Sequence, residues 1–250
     1  MKFELPKILD NAIQSRVNDL ILLSNQDVKQ NFETEVTCHG ALFSPSTGVI
    51  DSHSYMMSLL ADIEEGGGTL ALNSRVDNVK VLGDKKLQID TEEMELVCES
   101  VVNCAGLKAG DISNMVFTSV RNSDGTNHQG KISNCDEILH HRQQYFAKGN
   151  YFRLQGQKSP FTHLVYPVPE KGGLGVHATI DLVGNTRFGP DVEWVNEDVV
   201  NPDDIDLSVN PTRSDCFYDE VRKYWPGLKV RKRFLINQIF HKRSSSLMPF

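Results

Sequence analysis

The feature that most constrains the fold is a series of short apolar segments in the second half of the chain. The segments are NYFRLQG, HLVYPVP, GLGVHATIDL and TRFGPDV, and Gly, Pro and Asp separate them. In VHATIDL the apolar residues alternate, so Val176, Ala178 and Ile180 would share one face of a strand. Because side chains of a strand alternate between its faces, His177 and Thr179 would lie on the other face. We therefore predict an antiparallel sheet over this region.

The first part of the chain predicts helices and short strands. A surface helix starts near Leu5 and leads to an apolar strand, LILLS, and a second short strand is GALFS. From Ser52 onward apolar residues recur at helical spacing, which predicts a second helix. Asp51 or Ser52 would cap its start, and the run Gly66 to Gly68 would end it.

The middle of the chain predicts short strands followed by a turn at the start of a helix. Residues 69–104 are rich in branched residues and close on VVNC, a predicted buried strand. Ala105 and Gly106 follow, and this arrangement lets backbone N–H groups approach a phosphate. A purely structural turn is the alternative. We predict a hairpin tip at Gly83–Asp84 and a polar loop over 118–143.

Composition argues against several classes of protein. The 250 residues are 39% apolar and 24% charged, as in ordinary globular proteins, and no apolar run is long enough to span a membrane. The five cysteines are odd in number and form no CxxC pair, so we expect reduced thiols. The pair His140–His141 lies in the polar stretch without metal-ligand spacing, so we expect solvated side chains and no metal site.

The net charge of −7 conceals a basic carboxyl-terminal segment. Residues 229–250 contain lysine and arginine but no acid, so the remainder of the chain is strongly acidic. An acidic body argues against nucleic-acid binding. Hydrolase chemistry also lacks support, because the sequence contains no GxSxG nucleophile motif.

Several stretches resemble a known family of enzymes. VVNCAG, preceded by SRVDNV, is similar to the second flavin-contacting region of FAD-dependent oxidoreductases of the D-amino-acid-oxidase-like family. The stretches GALFSPSTGVIDSHS, LVYPVPEKGGLGVHATIDL and TRFGPDVEW narrow the resemblance to the L-2-hydroxyglutarate dehydrogenase group. This resemblance, which runs from Leu5 to Gly227, implies FAD as the cofactor and oxidation of L-2-hydroxyglutarate to 2-oxoglutarate. It implies a small-molecule substrate and leaves the electron acceptor open.

The resemblance also implies a fold and a division of the chain. The fold would be α/β, with a partial Rossmann-like FAD-binding domain and a substrate domain built on a mixed or antiparallel sheet. Residues 1–227 would form the oxidoreductase domain, with 1–50 and 140–210 mainly in the substrate part and 51–117 mainly in the FAD part. Residues 228–250 resemble nothing in the family and are expected to be a non-family basic tail.

His177 is the candidate catalytic base. Histidine titrates in the range that a base needs in order to take the hydroxyl proton of a 2-hydroxy acid. A polar residue on the solvent side of the sheet is the alternative. Thr179 would share its face and bind a substrate oxygen.

Further candidates for substrate binding come from the segments that carry the resemblance. Arg187 would form a bidentate pair with the distal carboxylate of a diacid, and an ion pair with Asp191 is the alternative. Tyr151 or Tyr166 would donate a hydroxyl to a carboxylate, and the alternative is that both are core or interface residues.

The SPSTG turn is the other candidate region for the substrate. The turn offers the hydroxyls of Ser44, Ser46 and Thr47, and the following helix start, which includes His53, would add free N–H groups and a partial positive charge. The alternative is a turn made by Pro45 and Gly48, with a capped helix and an exposed His53. For FAD, the resemblance implies the backbone of Val76 at the adenine edge. It also implies pyrophosphate and ribitol contacts from the segment Ala105, Gly106 and Leu107.

The chain departs from the family in its flavin-binding segments. It has no GxGxxG sequence, and its basic end does not resemble the glycine-rich family segment that returns to the flavin. We therefore expect this polypeptide alone to bind FAD weakly and to turn over little substrate, and a non-catalytic fragment or binding module is the alternative. The resemblance implies a mitochondrial location, whereas the sequence shows no transit peptide, which leaves a cytoplasmic location open.

Overall fold

A computed structural model describes residues 4–82, 86–123, 144–169, 175–228 and 234–244. The helices are α1 (Glu4–Gln14), α2 (Asn25–Asp27), α3 (Ser52–Glu65), α4 (Ala109–Ser123) and α5 (Ser214–Tyr224). The strands are β1 (Ile21–Ser24), β2 (Gly40–Phe43), β3 (Asn78–Val81), β4 (Leu87–Asp90), β5 (Glu95–Cys98), β6 (Gln144–Leu154), β7 (His177–Ile180), β8 (Thr186–Gly189), β9 (Glu193–Trp194) and β10 (Phe234–Ser244). The predicted α/β class is confirmed.

The chain divides into two compact units. The first unit comprises residues 1–57, 147–194 and 206–241, and the second comprises 58–146, 195–205 and 242–250. The predicted division into a substrate part and an FAD part stays a prediction. None of the helices in the described ranges combines the length and the apolar character that crossing a bilayer requires.

In the main sheet of the first unit, β6 pairs with β8 and β9, and β7 pairs with β8. All three pairs are antiparallel, as the alternating segments predict. The strand order of this sheet is β10–β6–β8–β7, and β9 also pairs with β6. The backbone of Phe234–Ser244 therefore adds a strand next to β6, although this segment lies in the basic tail that the sequence set apart. Of the predicted strand HLVYPVP only Val165 pairs, through a single bridge to Ala178. Pro167 and Pro169 lack the N–H groups that a longer ladder needs, which accounts for this difference.

The core of the first unit lies between this sheet and α5. Phe152, Ala178 and Phe188 project from neighbouring strands onto one face, where the ring of Phe152 lies 4.5 Å from that of Phe217 on α5. Phe217 and Val221 are four residues apart and so share one face of α5, and both side chains are fully buried.

Local signals account for the ends of the helices. Asp51 accepts hydrogen bonds from the backbone of His53 and Ser54, both at 3.1 Å, and so caps α3. The turn that contains Gly67, which has a positive φ of 81°, ends the same helix. Ser24 and Asp27 form a reciprocal capping box at α2. The boundaries of α3 agree with the sequence signals, whereas α2 was not predicted.

The second unit contains a three-stranded antiparallel sheet, β3–β4–β5, and α4. Val79 is buried, and the Val81 N–H donates to Ser119 Oγ at 2.8 Å, which ties β3 to α4. The helix α4 continues to Ser123, so the loop predicted from residue 118 is wrong over residues 118–123, where Ser119 contacts β3 instead. The predicted tip at Gly83–Asp84 and the pair His140–His141 lie outside the described residues.

The predicted buried strand VVNC is wrong. Residues 101–104 have no strand pairing in the described chain, and the Val102 side chain is 84% exposed. Instead, the Asn103 side chain donates to the Ala109 carbonyl at 2.7 Å and to Ser113 Oγ at 3.2 Å. The segment is therefore held by the start of α4 rather than by a neighbouring strand.

Replacement of Phe188 by alanine tests the core. Phe188 is fully buried and stacks on the Trp225 ring at 6.1 Å, so Phe188→Ala should lower the free energy of unfolding by about 3–5 kcal/mol. Urea denaturation followed by tryptophan fluorescence measures this change. The control, Val183→Ala at an 86% exposed position, should change stability by less than about 0.5 kcal/mol.

Candidate functional site

The candidate site lies on the face of β6, β8 and β7 that is opposite the core. The recorded register places His177 across from Gly189, and its continuation places Gly189 across from Tyr151. The next row on the same face is Thr179, Arg187 and Arg153. We call this surface the polar face, and its two rows are about 7 Å apart along the strands.

His177 is enclosed rather than solvated. Its side chain is only 6% exposed, and the Tyr166 ring stacks on the imidazole with a centroid distance of 4.3 Å and an interplanar angle of 22°. Tyr166 itself is 55% exposed, so it covers the histidine and is not a core residue. The alternative interpretation of His177 as a residue on the solvent side of the sheet is therefore wrong.

Arg187 is held by neighbours from both adjacent strands. Its Nε donates to Thr179 Oγ1 at 3.3 Å, and its guanidinium lies over the Tyr151 ring at 5.4 Å from the centroid. Burial raises the pKa of Tyr151, and the positive charge of Arg187 opposes that rise. The phenol therefore stays protonated and can act as a hydrogen-bond donor at neutral pH.

Asp191 does not pair with Arg187, which overturns the alternative considered from the sequence. Its carboxylate instead accepts from the Arg213 guanidinium at 2.5 and 2.6 Å and from the Asn150 backbone at 2.9 Å. The Asn150 side chain also donates to Asp191 and to Glu193. This network leaves the Arg187 guanidinium without a carboxylate partner among the described residues.

Gly189 makes room for the Tyr151 ring. A β carbon at this position would lie 2.6 Å from the Asn150 carbonyl oxygen and 2.9 Å from a ring carbon of Tyr151. Its φ of 134° also belongs to a region that side-chain-bearing residues rarely adopt. Glycine therefore lets Tyr151 lie across β8, where the ring meets Arg187.

The SPSTG turn is organised by its own side chains. Thr47 Oγ1 donates to Ser44 Oγ at 2.7 Å, while Ser46 and His53 are exposed. The prediction of free N–H groups at the start of α3 is wrong for His53 and Ser54, because the Asp51 carboxylate accepts a hydrogen bond from each of these N–H groups. Those hydrogen bonds and the one from Ser54 Oγ lower the pKa of Asp51. The carboxylate of Asp51 therefore carries a negative charge at the position where the substrate anion was predicted to bind.

The cofactor candidates lie in the second unit. Ala105 and Gly106 are exposed, and Leu107 and Val76 are half-buried. Gly106 has a φ of 56°, no atom outside the adjoining backbone lies within 4 Å of the position of a β carbon there, and α4 follows. This open, small-residue backbone fits one edge of a bound FAD, whereas the Ala105 N–H already donates to Asn103 Oδ1 at 3.2 Å.

The structure thus brings together five of the candidates that the sequence identifies: His177, Tyr166, Thr179, Arg187 and Tyr151. Sequence reasoning missed two residues of the polar face, Gly189 and Arg153. A signal for Arg153 exists, because it follows Tyr151 at the two-residue spacing of one strand face. The roles of the candidate residues stay predictions.

Comparison with known proteins shows that this chain matches one family of enzymes. The family model described as FAD dependent oxidoreductase matches residues 4–240, which includes the beginning of the basic segment. The mitochondrial L-2-hydroxyglutarate dehydrogenase of Arabidopsis thaliana is 34% identical and aligns with 90% of this chain and 51% of its own length. A glycerol 3-phosphate dehydrogenase of Caloramator mitchellensis is 28% identical over 76% of this chain and 35% of its own length.

Solved structures share the fold at low sequence identity. L-proline dehydrogenase from P. horikoshii has a TM-score of 0.68 at 16% identity and covers 97% of this chain and 59% of its own. Dithionite-reduced L-alpha-glycerophosphate oxidase from Mycoplasma pneumoniae with FAD bound has a TM-score of 0.63 at 15% identity, covering 97% and 60%. The chain spans about half the length of the Arabidopsis relative and less of the others.

Substitution of Gly189 tests the packing of Tyr151. Gly189→Ala combines an unfavourable φ with a collision against backbone, so it should lower the free energy of unfolding by at least about 2 kcal/mol. Gly184 has a φ of 83° but open space around it, so Gly184→Ala should cost only about 1 kcal/mol. Equal losses in urea denaturation would show that backbone strain alone determines the effect.

The carboxylate network predicts a loss of stability in acid. Burial raises the pKa of Glu193, but hydrogen bonds from Asn150 and Lys148 outweigh burial, so the folded-state pKa lies below its ordinary value of 4.5. The stabilising contribution is therefore present above about pH 4.5 and is lost as the pH falls through the folded-state pKa.

Measurement of the free energy of unfolding between pH 7 and pH 3 should show this loss. Glu193→Gln should reduce the slope of the free energy of unfolding against pH, whereas Glu197→Gln, at an exposed position, should leave that slope unchanged. An identical slope in wild type and Glu193→Gln would contradict the contribution of Glu193.

Proposed function

Because the chain belongs to the family of FAD-dependent oxidoreductases, we propose that it carries the substrate chemistry for oxidation of L-2-hydroxyglutarate to 2-oxoglutarate. The observation that supports this function best is the polar face, where an enclosed histidine neighbours an arginine that lacks a carboxylate partner. A 2-hydroxy acid requires a base for its hydroxyl proton and a cation for its carboxylate. The polar face supplies both.

His177 takes the proton in this proposal. Oxidation removes the hydroxyl proton and, as hydride, the hydrogen on C2, which leaves a carbonyl. FAD, when bound, supplies the hydride acceptor. The imidazole accepts the proton, and the Tyr166 ring stacked on it at 4.3 Å restricts its orientation and shields it from water. Relatives of this chain are named L-2-hydroxyglutarate dehydrogenases, which supports the substrate.

Arg187 and Thr179 bind carboxylate oxygens in this proposal. The guanidinium fork matches a carboxylate, and packing on Tyr151 limits the conformations it can adopt. The two rows of the polar face hold the base and the cation about 7 Å apart along the strands, so a short chain with a hydroxyl near one end and a carboxylate at the other can span them. Ser46, Thr47 and His53 stay secondary candidates, because their contacts in the turn and helix are local or solvent-facing.

The cofactor would contact the open backbone of Ala105 and Gly106. Leu107 follows directly in the sequence, and Val76 lies in the same unit. The fit rests on the open space around Gly106.

Several relatives carry the word mitochondrial in their names, and we propose the same location for this protein.

Flavin reduction tests the proposed function. The purified chain is incubated with FAD and desalted, and its visible absorbance is followed under anaerobic conditions after addition of L-2-hydroxyglutarate. Bleaching of a retained flavin band supports the reaction, and a retained band that does not bleach contradicts it. A colourless protein that still binds L-2-hydroxyglutarate would support the binding-module alternative.

His177→Gln tests the proposed base. Loss of the proton acceptor should slow flavin reduction at least about 100-fold, with little change in substrate affinity. The exposed His39→Gln variant serves as control and should reduce flavin at the wild-type rate. A His177→Gln variant that melts like wild type and retains its rate would exclude the histidine as the base.

A further inference from the structure

Two arginines lie directly opposite each other on the polar face. Arg153 of β6 and Arg187 of β8 are register partners, and such partners have β carbons about 5 Å apart. Like charges in this arrangement lower the stability of a sheet. Neither guanidinium forms an ion pair with a carboxylate in the described part of the chain.

The surroundings of the pair compensate its charge only in part. Arg187 contacts the Thr179 hydroxyl and the Tyr151 ring, both of which are uncharged. Asp181 interacts electrostatically with Arg153 and compensates part of its charge, but the two do not form an ion pair, because hydrogen bonds from the turn that follows β7 hold the Asp181 carboxylate. Arg153 is exposed, so its guanidinium is accessible to a ligand. The pair therefore concentrates positive charge beside the row that contains His177.

We propose that Arg153 and Arg187 together bind the second carboxylate of a dicarboxylic acid, and that Arg153 selects diacids over monoacids of the same length. This inference rests on the proposed function. A carboxylate has two oxygens and about four acceptor sites, so it can accept hydrogen bonds from two guanidinium groups at once. Its charge replaces the repulsion between the arginines by attraction to both. A methyl group in the same place leaves that repulsion uncompensated.

The test compares two ligands of equal chain length by calorimetric titration without FAD. L-2-hydroxyglutarate carries the second carboxylate, and L-2-hydroxypentanoate carries a methyl group instead. The ratio of the two Kd values isolates the contribution of the second carboxylate. Wild type should bind the diacid at least about tenfold more tightly, as expected for charge-assisted hydrogen bonds.

Arg153→Gln should reduce this ratio about tenfold by weakening the diacid alone, and Arg153→Lys should restore part of it. The control Arg16→Gln removes the same charge from an exposed position in the same unit and should leave the ratio unchanged. Because Arg153 is exposed and Arg153→Gln removes the repulsion from Arg187, its variants should unfold at or above the wild-type temperature.

The outcomes separate the inference from the proposed function. If wild type prefers the diacid but Arg153→Gln and Arg16→Gln have the same ratio of Kd values, the selective role of Arg153 is wrong and the proposed function stands. If Arg153→Gln weakens both ligands equally, Arg153 contributes only a general attraction, which also overturns the inference. If wild type binds neither ligand, the proposed function itself fails and the inference fails with it.

Discussion

The central strand β8 determines which side chains can meet in the first unit. It pairs with β7 on one side and β6 on the other, and both pairs are antiparallel. This register places Phe188 among the buried residues and Arg187 on the opposite face. A shift of one residue in either pairing would exchange the two faces, with arginine in the core and phenylalanine in the candidate site. The burial of Phe152 and Phe188 therefore stabilises the same register that assembles the polar face.

The end of β8 depends on groups that have no part in the proposed chemistry. Gly189 provides the space for Tyr151, and the next carboxylate along the chain, Asp191, accepts hydrogen bonds from Asn150 and Arg213. These bonds satisfy Asp191 away from the polar face. If Asp191 paired with Arg187 instead, that guanidinium would be neutralised within the protein and would bind an external carboxylate less well. The network thus keeps the charge of Arg187 available to a ligand.

Much of the secondary structure could be predicted from the sequence because its signals are local. The helix α3 follows from apolar spacing and the Asp51 cap, and the alternation around His177 predicts which face of β7 is apolar. The site was only partly predictable. The space over Gly189 depends on a tyrosine from another strand, and the pairing of Asp191 with Arg213 joins residues that no local pattern relates. The segment 101–104 has the composition of a strand but lacks a strand partner in the described chain, and composition alone cannot supply one.

The charge of the whole chain makes the local arrangement of the arginines more important. A net charge of −7 does not attract an anionic substrate from a distance, and physiological salt screens exposed charges beyond about 8 Å. Recognition of a dianion must therefore come from contacts at hydrogen-bond distance, where two guanidinium groups act on one carboxylate. The half-buried position of Arg187 strengthens this contact, because a cation that is already partly removed from water loses less hydration when the ligand arrives. Short-range geometry, set by the pairing of β6 with β8, is thus the feature that can give this acidic chain selectivity for an acidic substrate.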